Sequence, residues 1–300
     1  MKRREFLSRT AAGVGAAALG SLPVSCGSGY VAPAPPQLGP FRASDIVALG
    51  TTGIETSRLA CGTGTMGFNH QSHQSQLGIQ GLADLLYHGY EQGLRFWDTS
   101  DSYGTHPHLA EALKYVPREK VVIQTKTDSR TYDEVRADVD RFLDVVELNT
   151  DYIDIVVLHA LGLTEPEGDW PVRLQGAMDA LSEARQQGKV RAVGCSVHSL
   201  EALQAAAASP WVQVQVVRLN FAGTIMDADP ATVAPVLADM RAAGKAIVGI
   251  KILGEGELRT QMDDALKYAL VLGVLDAFVV GAESRTEQDD LVRRIAAVQV

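Results

Sequence analysis

The sequence predicts an α/β protein, a (β/α)8 (TIM) barrel preceded by an N-terminal β-hairpin. Three observations predict it. Eight short β-branched runs recur along the chain, with helix-patterned segments between them. About 260 residues follow an N-terminal leader, the ordinary size of such a barrel. No G-x-G-x-x-G motif follows an early strand, and an open dinucleotide-binding sheet has about six strands rather than eight.

The hairpin comes first. Segments 46–49 and 55–58 flank a Thr52-Gly53 turn and are expected to plug the bottom of the barrel. The predicted barrel strands are 58–62, 95–99, 121–126, 154–159, 190–196, 214–220, 246–253 and 277–281. Between them, 132–148 carries Val135, Val139, Phe142 and Val146 at helical spacing. Helices 174–187 and 231–243 end at Gly188 and Gly244, and Ser199 and Thr286 are expected N-caps. Strands alternating with helices imply parallel βαβ units, and eight of these close into a barrel.

Composition narrows the function. The 300 residues are 46% hydrophobic and carry a net charge of −9, too apolar for disorder and too acidic for a general nucleic-acid binder. Cys26, Cys61 and Cys195 are too few for a disulfide framework or a zinc cage. Cys61 and Cys195 are expected as buried free thiols. No metal site is expected.

Residues 1–26 read as an address. Lys2, Arg3 and Arg4 form a basic head, followed by a short run rich in Ala and Gly that is too weakly apolar to span a membrane. Arg3-Arg4 with Phe6-Leu7 resembles a twin-arginine export signal. The implied partner is the twin-arginine export machinery, and the implied location is the periplasm or, through a lipid on Cys26, a membrane surface. Simple cleavage nearby and lipidation of Cys26 both stay open. Residues 27–40, with Pro33, Pro35, Pro36 and Pro40, read as an extended tether. The domain proper is 41–300, expected as a monomer.

In a barrel of this kind the active site lies at the C-terminal ends of the strands. Asp98 ends the second predicted strand, Tyr103 lies in the loop after it, Lys126 closes the third and His159 the fourth. Each alone has a structural explanation; four titratable groups on three consecutive strand ends point to a site. A tyrosine hydroxyl titrates near ~10 and transfers protons poorly at neutrality. A nearby ammonium is expected to lower that value, and an aspartate to hold the ammonium in place. A neutral histidine can donate to a carbonyl oxygen. The set suits protonation of a carbonyl oxygen as hydride reaches carbon, and no side chain supplies hydride, so a nicotinamide cofactor is required. A hydrolase is disfavoured, since His159 lacks ligand-spaced partners.

From Leu49 to the C-terminus the chain resembles an aldo-keto reductase. The resemblance rests on Leu49–Gly53, Gly62-Thr63-Gly64-Thr65-Met66-Gly67, Phe96-Trp97-Asp98-Thr99-Ser100 with Tyr103-Gly104, Thr125-Lys126, Tyr152-Ile153-Asp154 with Leu158-His159, and Gly188-Lys189-Val190-Arg191 leading to Gly194-Cys195-Ser196. It implies reduction of an aldehyde or ketone, a small-molecule substrate, with Tyr103 as general acid, Asp98 and Lys126 tuning it, and His159 positioning the carbonyl. It also implies a cofactor held by Gly64, Thr65, Met66, Asp98, Ser196, Asn220, Lys251, Leu253, Gly254, Gly281, Ser284, Arg285 and Gln288. NADP(H) is expected ahead of NAD(H), with Arg285 on the 2′-phosphate, although Glu283 beside it would oppose one. Several positions depart from the family. Val197 stands where an amide-holding Asn is usual, Val216 where a Gln is usual, and 249–256 has no ring-stacking aromatic. A barrel that binds or senses the nucleotide with little turnover is therefore the alternative. His106, near the usual place of a glutamate, is expected as a surface loop histidine.

Overall fold

The computed structural model describes residues 40–163 and 168–299. The expectations for the leader, for Cys26 and for nearly all of the tether lie outside the described residues. The hairpin is present: β1 (Ile46–Ala48) pairs antiparallel with β2 (Glu55–Ser57), Ile46 opposite Ser57. Leu49 N–H donates to Ile54 O at 2.9 Å, and the Thr52 hydroxyl caps Leu49 O at 2.7 Å. Gly50 is required there: its φ is +50°, and a Cβ would lie 2.5 Å from the backbone of Gly244 and Ala246.

Eight parallel strands then close a barrel in sequence order, the last pairing with the first. They are β3 (Leu59–Gly62), β4 (Phe96–Asp98), β5 (Val122–Thr127), β6 (Ile153–Leu161), β7 (Val190–Val197), β8 (Val214–Arg218), β9 (Ala246–Ile250) and β10 (Ala277–Gly281). The α-helices are α1 (Gly78–Glu91), α2 (His106–Ala112), α3 (Tyr132–Leu143), α4 (Trp170–Arg173), α5 (Gln175–Gln186), α6 (Leu200–Ala208), α7 (Pro230–Ala242), α8 (Met262–Val271) and α9 (Arg285–Ala297). None of the described helices is long and apolar enough to cross a membrane.

Strand alternation divides the apolar residues into two cores. Ala60, Phe96, Ile155, Val157, Val214, Val216 and Val248 fill the barrel, where Leu49 and Ile54 of the hairpin turn join them. Their neighbours along the strands, such as Trp97, Val156 and Val217, face the helices. The two-residue period matters for the site: Arg218 continues the inward row of Val214 and Val216 and is in register with Ile250. Below, the buried Asp154 ties three elements together, accepting from Arg118 Nη2 (2.7 Å), Arg191 Nη1 (2.6 Å) and Ile123 N–H (2.9 Å). Both thiols are buried and free, and burial pushes Cys61 up to about 12 and Cys195 higher still.

Four boundaries differ from expectation, each for a local reason. The helix expected over 132–148 stops at Leu143, because Asp144 takes extended backbone and its carboxylate accepts from Val146 N–H, leaving Val146 70% exposed. β8 ends at Arg218, since the Asn220 side chain turns the chain by accepting from Ala222 and Thr224 N–H. β9 ends at Ile250 because Lys251 adopts a φ of 57°. The N-cap of α9 is Ser284, not Thr286: the Ser284 hydroxyl accepts from Glu287 N–H at 3.2 Å, and Thr286 lies inside the first turn. Ser199 does cap α6, through Ala202 N–H.

Candidate active site

Each of the four titratable residues reaches the same mouth. Asp98 is the last residue of β4, and its Oδ1 accepts from Lys126 Nζ and from Gln124 Nε2, both at 2.7 Å. Lys126 is 1% exposed and also donates to Thr99 O at 2.7 Å. Its Nζ lies 4.9 Å from the centre of the Tyr103 ring. The ring of His159 meets that of Tyr103 edge-on, centroids 6.0 Å apart. His159 sits at an irregularity where the β6 register shifts between Leu158 and Leu161 and Ala160 takes a φ of 54°.

The glycines of the 62–67 motif make room for the phenol. A Cβ on Gly64 would lie 2.1 Å from the Tyr103 ring, and one on Gly67 2.3 Å from it. The loop is braced from the other side. Arg141 of α3 grips both oxygens of Asp101, at 2.9 and 2.8 Å, and also reaches Glu147. Glu147 holds His106 Nδ1 (2.9 Å), whose Nε2 meets Thr125 Oγ1 (2.7 Å). His106 is thus neither a surface histidine nor a pocket wall: it is buried and pins the start of α2 to β5. Its burial was not legible because the partners that satisfy it, Thr125 and Glu147, are distant in sequence.

The electrostatics correct one expectation. The Tyr103 hydroxyl is not lowered by Lys126 but held well above the usual tyrosine range, first by burial and then by the negative charges of Asp98, Asp128 and Glu255. Lys126 is already bound to Asp98 and to the Thr99 carbonyl, so its field offsets only part of that rise. The phenol is therefore protonated, the form in which it can give a proton away. His159 Nδ1 lies 2.8 Å from Asp128 Oδ1 and 3.4 Å from Ser100 Oγ.

A cleft of about 430 Å³ opens beside this cluster. Asp98 and Tyr103 line it together with Gly64, Thr65, Gly281, Lys251, Leu253, Arg259, Glu283, Glu287 and Asp290. Six of the residues expected to hold a cofactor line it: Gly64, Thr65, Asp98, Lys251, Leu253 and Gly281. The others do not. Ser196 Oγ accepts from Ala160 N–H, and Asn220 is fully engaged in its own turn. Gly254 is packed on Thr224 and Leu258, while Met66 is 58% exposed beyond the cleft. Ser284 caps α9, and Gln288 turns its amide to Cys61. Arg285 is exposed and lines a separate hollow with Leu77, Gly81 and Asp84.

Asp128, Glu255, Arg259, Glu287 and Asp290 went unforeseen. Asp128 had a signal: two residues past Lys126, it falls on the same side of the strand end. The acidic residues of α9 had none, because an exposed helix face is normally charged. The lining fits a dinucleotide: glycines at Gly62, Gly64, Gly256 and Gly281 carry no side chain to obstruct it, and two cations, Lys251 and Arg259, are among the lining residues. Lys251 is paired with Glu255, and Arg259 Nη1 donates to Gly256 O at 3.1 Å. Among the described residues no cluster of side chains is arranged to hold a metal ion.

Residues 60–274 match the model of the aldo/keto reductase family. An NADH-specific methylglyoxal reductase of Escherichia coli is 28% identical over 173 residues, half of this chain and 51% of that protein. The aldo-keto reductase YhdN of Bacillus subtilis is 30% identical over 172 residues, 52% of this chain and 48% of that one. The chain thus spans about half the length of the curated relatives it matches. In fold, an aldo-keto reductase of Bacillus halodurans in its holo form superposes with a TM-score of 0.69 at 18% identity, covering 86% of this chain and 92% of that one.

Proposed function

Since this chain belongs to the aldo/keto reductase family, we propose that it reduces an aldehyde or ketone using a reduced nicotinamide dinucleotide held in the cleft. The observation that carries this is the convergence of Asp98, Lys126, Tyr103 and His159 at one rim, with Asp98 and Tyr103 lining that cleft. The dinucleotide supplies hydride when bound. The protein's own residues do the rest. Tyr103, kept protonated, gives its proton to the carbonyl oxygen; Lys126 stands close enough to stabilise the phenolate that remains. Asp98 and the Thr99 carbonyl fix Lys126, and His159 stands edge-on to the phenol, where it orients the carbonyl.

The lining of the cleft favours NAD(H) over the NADP(H) expected from sequence. Carboxylates accept from a ribose 2′-hydroxyl and repel a 2′-phosphate; Glu283, Glu287 and Asp290 line the cleft, whereas Arg285 lines a neighbouring hollow. The export signal at Arg3-Arg4 supports a further part of the proposal, a folded monomer carried out of the cytoplasm with its cofactor. The test is to titrate the purified protein with NADH and NADPH and then add a panel of aldehydes and ketones. The expected result is tighter binding of NADH and carbonyl-dependent loss of reduced-nicotinamide absorbance. Tighter NADPH binding overturns the cofactor assignment, binding without turnover supports a sensing barrel, and no binding of either overturns the proposal.

A further inference from the structure

The two ring nitrogens of His159 have different neighbours. Nδ1 lies 2.8 Å from Asp128 Oδ1, whereas Nε2 has no hydrogen-bond partner among the described residues. An ionised carboxylate only accepts, so a contact this short needs a hydrogen on Nδ1. The Ser100 hydroxyl could instead donate to a bare Nδ1, but it stands 3.4 Å away and has Ser102 Oγ at 3.1 Å as a nearer partner. The charged, shorter contact decides. Burial raises the Asp128 carboxyl, yet the hydrogen bond and charge of His159, with Arg130 and Lys126, outweigh it and keep Asp128 below the usual carboxylate range.

We propose that Asp128 is a positioning residue that fixes the Nδ1–H tautomer of His159, so that only the imidazolium, and not the neutral ring, can donate to a substrate oxygen. The neutral ring presents a bare Nε2, which accepts. Reversal of the expected role follows: the neutral imidazole cannot orient a carbonyl by donation. It can accept from an alcohol hydroxyl. His159 therefore favours carbonyl reduction when charged and tolerates alcohol binding when neutral. This consequence rests on the carbonyl-reducing reading of the site; the tautomer does not.

The charged and titratable groups that face His159 come from several elements. Asp128 faces it from the segment after β5, where Arg130 also donates to His159 O at 2.8 Å. Lys126 approaches from β5 and is bound by Asp98. Tyr103, from the loop after β4, is held protonated. His198, at the end of β7, is held neutral at about 3 by burial and by Arg218, His159 and Lys251.

The experiment is a long-range ¹H–¹⁵N spectrum of the histidine-labelled protein across pH, which reads directly which nitrogen bears hydrogen. His159→Gln identifies the resonance. The wild type is expected to show neutral His159 with hydrogen on Nδ1, and Asp128→Asn to weaken that preference, because a carboxamide can either accept from or donate to Nδ1. A neutral wild-type ring with hydrogen on Nε2 overturns the proposal. The wild-type spectrum alone decides the tautomer if the variant does not fold. In the rate, wild-type reduction is expected to fall as the pH rises, and Asp128→Asn to flatten that fall. Parallel profiles overturn the catalytic consequence. Absence of any carbonyl reduction tells against the functional reading and leaves the tautomer result intact.

Discussion

Tyr103→Phe abolishes most of the carbonyl reduction while leaving the barrel and its cleft in place. The substitution removes one hydroxyl and keeps the ring that packs on Gly64 and Gly67. That hydroxyl has no hydrogen-bond partner among the described residues, so its loss should cost less than about 1 kcal/mol of stability. The chemistry loses its proton donor. A positioned general acid is worth about 10²- to 10⁴-fold, and kcat should drop by that factor with the affinity for reduced cofactor unchanged. Because burial and the charges of Asp98, Asp128 and Glu255 raise the wild-type phenol, it stays protonated until well above the usual tyrosine range. Reduction should thus keep its phenolic donor through neutral pH and lose it only in strong alkali. Steady-state kinetics and cofactor fluorescence titration check both halves.

Lys126→Met damages stability and activity together, and a second substitution separates them. Methionine has a comparable length and fills the space, but Asp98, 3% exposed, is left with only Gln124 as a side-chain donor. An uncompensated buried charge costs about 3–5 kcal/mol. In a domain of this size each kcal/mol moves Tm by about 2–4 °C, so a loss of roughly 10 °C is expected. Adding Asp98→Asn removes the orphaned charge. The double variant should regain most of the lost Tm and none of the rate, since no ammonium then stands near the Tyr103 ring to stabilise its phenolate. Recovery of rate with Tm would mean that Lys126 acts only as structural support.

The barrel was legible because its signals are local. Val214 and Val216 alternate with outward residues, Gly188 and Gly244 stop helices, and Thr52-Gly53 turns the hairpin. The four central residues were legible for the same reason: each sits at or just past a strand end, and parallel closure brings strand ends together. What surrounds them depends on tertiary partners. Ser196 and Asn220 read as cofactor ligands, and their side chains also serve the fold, through Ala160 N–H and the 222–224 turn. Arg285 read as a phosphate ligand, and it begins α9 just after the Ser284 cap, lining a neighbouring hollow. The sign of the Tyr103 shift was beyond sequence, because it turns on how fully Asp98 and the Thr99 carbonyl neutralise Lys126.

The central claim is that hydride and proton meet a carbonyl group at this one rim. A single turnover in ordinary water, with reduced cofactor deuterated at the transferable position, tests it most directly. The account predicts alcohol whose carbinol carbon carries the deuterium, formed far more slowly by Tyr103→Phe. Alcohol without deuterium on that carbon, or equal rates for the two proteins, would contradict it.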